Sequence, residues 1–196
     1  MVTVRKGNAG FTLTEVMVVV VILSLLAALS TPLFTRDNNA RRGRDWAKIV
    51  AQLLQRARFQ AMGDRANIHV LLYRTRVDMY REEPAGIVPP FTLLSTTLGP
   101  VADGTRTVAI WDARTDSTLP AAQTIPLATS AIAPTSPVPA NDDIVFTSLG
   151  STVNTANWRV YLRNELLPAG HPDSSFVINV GGLTGFISSN DKVTLP

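Results

Sequence analysis

Near its N-terminus the chain carries a long apolar run, residues 11–34, which contains a single charge, Glu15. As a helix this run would be about 36 Å long, against about 30 Å for the hydrocarbon core of a bilayer. The pattern therefore predicts a helix that can cross a membrane.

Two common kinds of apolar N-terminus fit this run poorly. A cleaved secretory signal peptide has a core of about 7–15 residues and ends at a small-residue cleavage site. This run is longer, and it passes through Ser30-Thr31-Pro32 without such a site. A plain signal anchor has no use for Glu15, because a carboxylate in the bilayer is costly and is usually functional. The sequence therefore indicates an anchor with a further role.

The residues that open the run are Gly10-Phe11-Thr12-Leu13-Thr14-Glu15, and a short basic leader precedes them. This arrangement resembles the type III signal of type IV prepilins. The resemblance implies that a membrane aspartic protease, the prepilin peptidase, cuts after Gly10 and that Phe11 is then N-methylated. It makes Glu15 the acidic fifth residue of the mature chain, and it places Pro32 where pilins often carry a helix-kinking proline.

Cleavage after Gly10 would create a charged amino group on Phe11, one helical turn from Glu15. An ammonium and a carboxylate in an apolar layer are each costly alone, and pairing offsets much of that cost. The resemblance implies that Glu15 pairs with the amine of a neighbouring subunit and so sets the register of assembly. The alternative is that Glu15 pairs only with its own terminus.

Charges on the two sides of the run leave its topology open. The leader carries Arg5 and Lys6, and more basic residues follow the run, at positions 36, 41, 42 and 44. A positive-inside count alone would put the C-terminal part in the cytoplasm. The resemblance implies the opposite: a single-pass protein of the bacterial inner membrane with its head in the periplasm, later part of a pilus or pseudopilus.

A second helical pattern follows the apolar run, with one apolar and one polar face. The apolar face comprises Trp46, Ile49, Val50, Leu53, Leu54, Ala57 and Ala61, and the polar face Arg41, Arg44, Lys48, Gln52, Gln55 and Arg58. Such a helix can lie on a membrane or bind a partner, but we expect the apolar face to cover a sheet. Pro32 and residues 37–39 are places where the helix could bend or unwind.

From residue 67 onward, short β-like runs alternate with turn residues. The predicted strands are 68–73, 77–80, 107–111, 144–146, 158–163, 176–180 and 183–187, with a glycine turn before the last. Residues 120–139 hold five of the 13 prolines and predict a long surface loop.

The predicted fold class is α+β, a pilin-like lollipop with a long N-terminal helix packed on an antiparallel β-sheet head. We expect a leader over 1–10, a transmembrane and assembly helix over 11–35, an amphipathic helix over 36–66 and a β-rich head over 67–196.

The head resembles the H-type minor pseudopilins and the FimT/FimU minor pilin group (GspH-like). The residues that carry this resemblance are 53–61, LLQRARFQA, then 143–146 with Gly150, and the ending 176–186, FVINVGGLTGF. The group usually has an arginine after the last glycine of the terminal turn, where this chain has Leu183. A major pilin would more often show a disulfide-stapled C-terminal loop, and this chain has no cysteine.

Composition and motifs argue against catalysis. The absence of cysteine excludes disulfides, Cys-ligated metals and thiol nucleophiles. No G-x-S-x-G, H-E-x-x-H or P-loop motif occurs. We therefore expect no enzyme activity, no catalytic residue, no cofactor and no metal.

Other polar residues predict ordinary structural roles. His69 and His171 are isolated in the sequence, and residues 141–143, Asn-Asp-Asp, predict a turn rather than half a calcium site. A net charge of +3 is too small to imply nucleic acid. The arginines at 106, 114, 159 and 163 are scattered, so nucleic acid is an unlikely partner.

The function that follows is assembly: a minor pilin that primes or caps a type IVa pilus, incorporated through its N-terminal helix. The implied partners are other minor pilins and the major pilin, the prepilin peptidase, the inner-membrane assembly platform and the membrane. Two alternatives stay open, an H-type minor pseudopilin of a type II secretion system and a DNA- or surface-binding pilin. The predicted loop over 120–139 and the strand-poor stretch before it favour a place near the tip.

Overall fold

The computed structural model describes residues 12–87, 90–102, 106–115, 143–168 and 170–190, and no side chain is described at 29–37, 101, 102, 106, 154 or 190. The leader and the predicted loop over 120–139 lie outside the described residues. The elements are α1 (Leu13–Asp64), β1 (Ile68–Tyr73), β2 (Arg76–Glu82), β3 (Phe91–Leu98), β4 (Val101–Ala102), β5 (Arg106–Arg114), β6 (Asp143–Phe146), a 3-10 turn (Val153–Thr155), β7 (Trp158–Asn164), β8 (Ser175–Val180) and β9 (Ile187–Asn190).

The chain divides into two compact units, one up to Asn38 and one from Asn39 onward. The described part of the first unit is helical from Leu13, and the backbone does not unwind at Pro32 or at residues 37–39. The side chain of Pro32 lies outside the description, so the predicted kink there stays a prediction.

The second unit contains two antiparallel sheets. One has four strands in the order β3-β2-β1-β6, and the other has five in the order β4-β5-β7-β8-β9. The last three strands pair in sequence order. Trp158 of β7 lies opposite Val180 of β8, and Val180 lies opposite Ile187 of β9. The predicted α+β class with an antiparallel head is confirmed.

One hydrophobic core joins α1 to both sheets. From the helix it takes Trp46, Val50 and Leu54, each at most 1% exposed, as well as Ala57 and Ala61. The predicted apolar face is confirmed at these positions, because their side chains repeat every three or four residues along one side of the helix. Ile49 is an exception: at 40% exposed it lies at the edge of that face rather than in the core.

Two strand predictions differ from the structure, at β3 and before β9, and β4 was not predicted either. The β3 strand (Phe91–Leu98) was missed because it is an edge strand in which one residue of eight is buried and four are Thr or Ser, without clear apolar alternation. The strand predicted over 183–187 is wrong, since β9 begins only at Ile187. Gly185 adopts a φ of 60° and its N–H donates to the Gly181 carbonyl, which widens the glycine turn. The predicted strand-poor stretch before residue 120 therefore contains β3 and β4, in addition to β5, of which residues 107–111 were predicted as a strand.

Candidate functional site

The helical stretch over residues 13–28, here called the assembly segment, exposes apolar side chains on every side. Its large apolar residues are between 50% exposed at Ile22 and 80% exposed at Leu13. Eight of them occupy the consecutive positions 16–23, so they surround the helix axis rather than forming one face. A helix that is apolar all round is typical of one buried in a membrane or among other helices.

The described N-terminus of α1 is closed by a reciprocal cap between Thr12 and Glu15. The Glu15 N–H donates to Thr12 Oγ1 at 3.3 Å, and the Thr12 N–H and hydroxyl each donate to Glu15 Oε2 at 3.1 Å. This is a capping box, in which the threonine at the N-cap and the glutamate three residues later satisfy each other's backbone donors. The negative charge also lies in the first helical turn, where the helix dipole favours it.

The cap adds Thr12 to the predicted site residues. The sequence signal was present, because Thr12-Leu13-Thr14-Glu15 is the T-x-x-E pattern of a capping box. Of the predicted residues, Gly10 and Phe11 lie outside the described part of the chain. The pairing of Glu15 with an amino group at Phe11 therefore stays a prediction.

Membrane insertion of this segment was predicted from the sequence. Among the residues that the structure describes, none forms a helix both long enough and apolar enough to span a bilayer.

A second polar cluster lies inside the head, around His69 of β1. His69 is fully buried, with Nδ1 2.9 Å from Asp143 Oδ2 and Nε2 3.6 Å from Glu82 Oε2. Asn67 Nδ2 donates to the same Glu82 oxygen at 2.7 Å, and the ring of Phe91 packs edge-on at 5.0 Å between centroids. The cluster links β1 to β2, β3 and β6.

Burial by itself lowers the pKa of His69, but the hydrogen bonds and negative charges of Asp143 and Glu82 outweigh it and raise the pKa above its ordinary 6.5. Asp143 and Glu82 therefore favour the protonated form of His69, and the cluster ties β1 to its neighbouring strands. The turn predicted at Asp143 is wrong, because this residue begins β6; residues 141 and 142 lie outside the description. No group of three or more His, Asp or Glu within the described ranges could hold a metal ion.

The arginines predicted to be scattered are partly brought together. Arg114 of β5 and Arg159 of β7 lie directly opposite each other in register, and Arg163 follows four positions further along β7. Arg114 forms an ion pair with Asp112, and the Arg163 guanidinium lies 4.7 Å from the ring centroid of Trp111. Arg114 and Arg163 are therefore held by contacts with other residues of the head.

Residues 5–31 match the family model of the prokaryotic N-terminal methylation motif. The match covers residues 5–10 of the leader, the predicted cleavage point and most of the apolar run, and it confirms the predicted resemblance to type IV pilin-like proteins. No protein of curated function is significantly similar to the chain in sequence.

Two crystal structures of the type IV minor pilin FimU of Pseudomonas aeruginosa, in different crystal forms, are similar to this structure. The first is 17% identical in sequence, with a TM-score of 0.48 over 80% of this chain and 92% of FimU. The second is 16% identical, with a TM-score of 0.45 over 75% of this chain and 91% of FimU.

Proposed function

We propose that this chain is a minor subunit of a type IVa pilus, a structural protein that helps to prime or cap the filament together with other minor pilins. The observation that carries the proposal is the assembly segment, a helix with apolar residues on all sides that lies within the methylation motif matched over residues 5–31. Such a helix needs an apolar environment. A bilayer before assembly and the helices of neighbouring subunits after assembly would supply that environment.

Glu15 is the one charged residue of the assembly segment. In the described chain its carboxylate accepts hydrogen bonds only from Thr12, within its own helix. Removal of the leader after Gly10 would place a new ammonium group beside this carboxylate. We propose that the amine of a neighbouring subunit competes for Glu15, and that this competition fixes the axial register of the incoming chain.

Processing is the first test of the proposal. Intact-mass spectrometry of the membrane-extracted protein should show a chain that starts at Phe11 and carries one added methyl group. Replacement of Gly10 by leucine should leave the precursor uncut, whereas the same replacement at Ala9 serves as the control for a general effect on the leader. A mature chain that retains Met1, or one cut beyond Pro32, would refute a pilin-like role.

The amount of this chain in the filament tests whether it is a minor subunit. Quantitative mass spectrometry of purified filaments should find this chain far below the major subunit and associated with other chains that carry a methylation motif. Filaments formed by this chain alone would overturn the minor position and leave the pilin-like role standing. Recovery only with components of a type II secretion system would instead favour the pseudopilin alternative.

A further inference from the structure

At the C-terminal end of α1, two loops of the head close over the helix around Arg58. Arg58 Nε donates to the carbonyl oxygen of Gly150 at 3.2 Å. Gly185 lies so close that a Cβ there would overlap that oxygen and would stand 2.9 Å from Arg58 Cδ. A Cβ on Gly150 would stand 2.7 Å from Met62 Sδ, one helical turn further along. Helix and loops are therefore packed without room for added atoms, which fixes the loops in place.

These fixed loops present large apolar side chains to solvent. Leu149 is 86% exposed, Leu183 is 75% exposed and Phe186 is 64% exposed, and each lies within two residues of Gly150 or Gly185. Phe59 of α1 is 62% exposed, and its ring centroid lies 5.8 Å from the Arg58 guanidinium carbon. We call these four residues the loop-end patch.

An exposed apolar group of this kind needs an explanation. Single exposed leucines are normal, but several grouped large side chains mark surfaces that bind proteins. The loops do not need these side chains for their own packing, since the glycine backbones make the contacts with α1.

Charge around the loop-end patch restricts the partner. Arg56 is exposed on α1 about one helical turn before Phe59, Arg65 is exposed just after the end of α1, and Arg58 is half-buried, whereas residues 147–151 and 181–186 contain no charged side chain. Asp64 is the one acidic residue of positions 55–65. A second copy would bring another patch flanked by arginines and without carboxylates in its loops, so it would not supply the opposite charges that a complementary interface needs.

We propose that the loop-end patch is the docking surface for the head of a different subunit, one with an apolar hollow rimmed by carboxylates. The apolar side chains would supply the buried centre of the interface, and Arg56 and Arg65 its complementary charged rim. The inference rests on the proposed function only in that the partner is itself a chain with an N-terminal methylation motif.

Site-specific photo-crosslinking of the full chain in its native host tests the proposal. A photoreactive phenylalanine analogue replaces Leu149 or Leu183, and the matched control carries it at Leu98 of β3, which is 71% exposed but distant in the sheet order. Mass spectrometry should identify one product at both patch positions, a different chain with a methylation motif, and should not find it from Leu98. Arg56→Glu should lower the yield about threefold or more, because a reversed rim charge slows association; Arg42→Glu, earlier on the same helix, should not.

Several results would overturn the proposal: crosslinks only to a second copy of this chain, only to lipid, equally from Leu98, or none at all. Leu183→Ser should reduce crosslinking from Leu149 about tenfold, as expected for loss of one buried leucine. The melting temperature of that variant should be unchanged because Leu183 is exposed. A lowered melting temperature would therefore reveal a misfolded head. Processing is measured on the same samples: an uncut chain refutes the proposed function, whereas a processed chain without the product refutes the docking surface alone.

Discussion

At the residue scale, the carboxylate of Glu15 has one role that the structure shows and one that we propose. It caps the N-terminus of α1 through Thr12, and in the assembled filament it would pair with a neighbour's amine. The cap needs only an acceptor at the third helical position, which glutamine also supplies. The pairing needs a negative charge.

A short substitution series therefore separates the two roles. Glu15→Gln keeps the cap and removes the charge, whereas Thr12→Ala removes much of the cap, at about 0.5–2 kcal/mol of helix stability, and keeps the charge. We expect Glu15→Gln and Glu15→Ala to be processed normally but lost from sheared filament fractions, and Thr12→Ala to be incorporated. Normal incorporation of Glu15→Gln would show that the charge is dispensable and that capping suffices.

Also at the residue scale, His69 makes the stability of the head depend on pH. Its pKa in the folded chain is raised above 6.5 by Asp143 and Glu82. A raised histidine pKa stabilises the fold fully below the unfolded pKa of about 6.5, and this contribution is lost as pH rises through the folded pKa.

We therefore expect the melting temperature of the full chain in detergent, followed by near-UV circular dichroism, to fall as pH rises from about 6 through the folded pKa of His69. His69→Gln, which cannot titrate, should be less stable at pH 6 and should lose most of this fall. His171→Gln is the matched control, because His171 lies in a turn where its Nδ1 accepts a hydrogen bond from the Asp173 N–H. If the melting temperature of His69→Gln fell with pH by the same amount as that of the unchanged chain, His69 would not be the source of the pH dependence.

At the element scale, the reliable predictions were those based on strong periodicity. The apolar positions of α1 from Trp46 to Ala61 repeat at helical spacing, and Trp158, Val160 and Leu162 of β7 alternate with polar residues or tyrosine, so these elements could be placed from the sequence. The edge strand β3 could not be, because its threonines and serine do not alternate with apolar residues, and only Phe91 of the strand is buried. The Thr12–Glu15 cap could be recognised from its sequence motif. The contact of Arg58 with Gly150 joins residues 92 positions apart and has no local sequence signal.

The glycine turn before β9 illustrates such a long-range constraint. A Cβ on Gly182 would overlap the backbone of Thr155 and Ala156, which cannot move aside as a side chain could. The Gly182 N–H also donates to Asn157 Oδ1 at 2.7 Å, and its carbonyl accepts from the Thr152 N–H at 2.8 Å.

We expect Gly182→Ala to destabilise the head by about 3 kcal/mol or more, within the range of the largest single-residue effects. Gly63→Ala is the control, because a Cβ at Gly63 meets nothing within 4 Å and alanine favours the helix by about 0.5–1 kcal/mol. Urea unfolding monitored by tryptophan fluorescence measures both. Equal stability of the two variants would show that the turn can move away from Thr155.

At the scale of the whole molecule, the second unit begins at Asn39, whose carbonyl accepts a hydrogen bond from Asn164 Nδ2 at 2.9 Å. We expect a fragment over 39–196 to be soluble and to melt cooperatively. A fragment over 67–196 lacks Trp46, Val50 and Leu54, at roughly 1.5–3 kcal/mol for each fully buried large aliphatic side chain, and should aggregate.

Within the longer fragment, Val50→Lys should abolish the cooperative melt, whereas Ile49→Lys, at a 40% exposed position, should change it little. Size-exclusion chromatography and calorimetry measure both effects. A monomeric 67–196 fragment with a cooperative transition would show that the helix does not complete the core.

The same core sets an order of events during synthesis. Its helical part, from Trp46 to Ala61, is made early, whereas Ile178, Val180 and Ile187 come from the last strands. At about 5–20 residues per second, the ribosome needs roughly 7–28 s to pass from Trp46 to Ile187. Until the strands of the head have formed, the nascent helix carries a tryptophan and several aliphatic side chains that are incompletely covered. The arginines, lysine and glutamines on the opposite face of α1 then give this part of the growing chain local protection against aggregation.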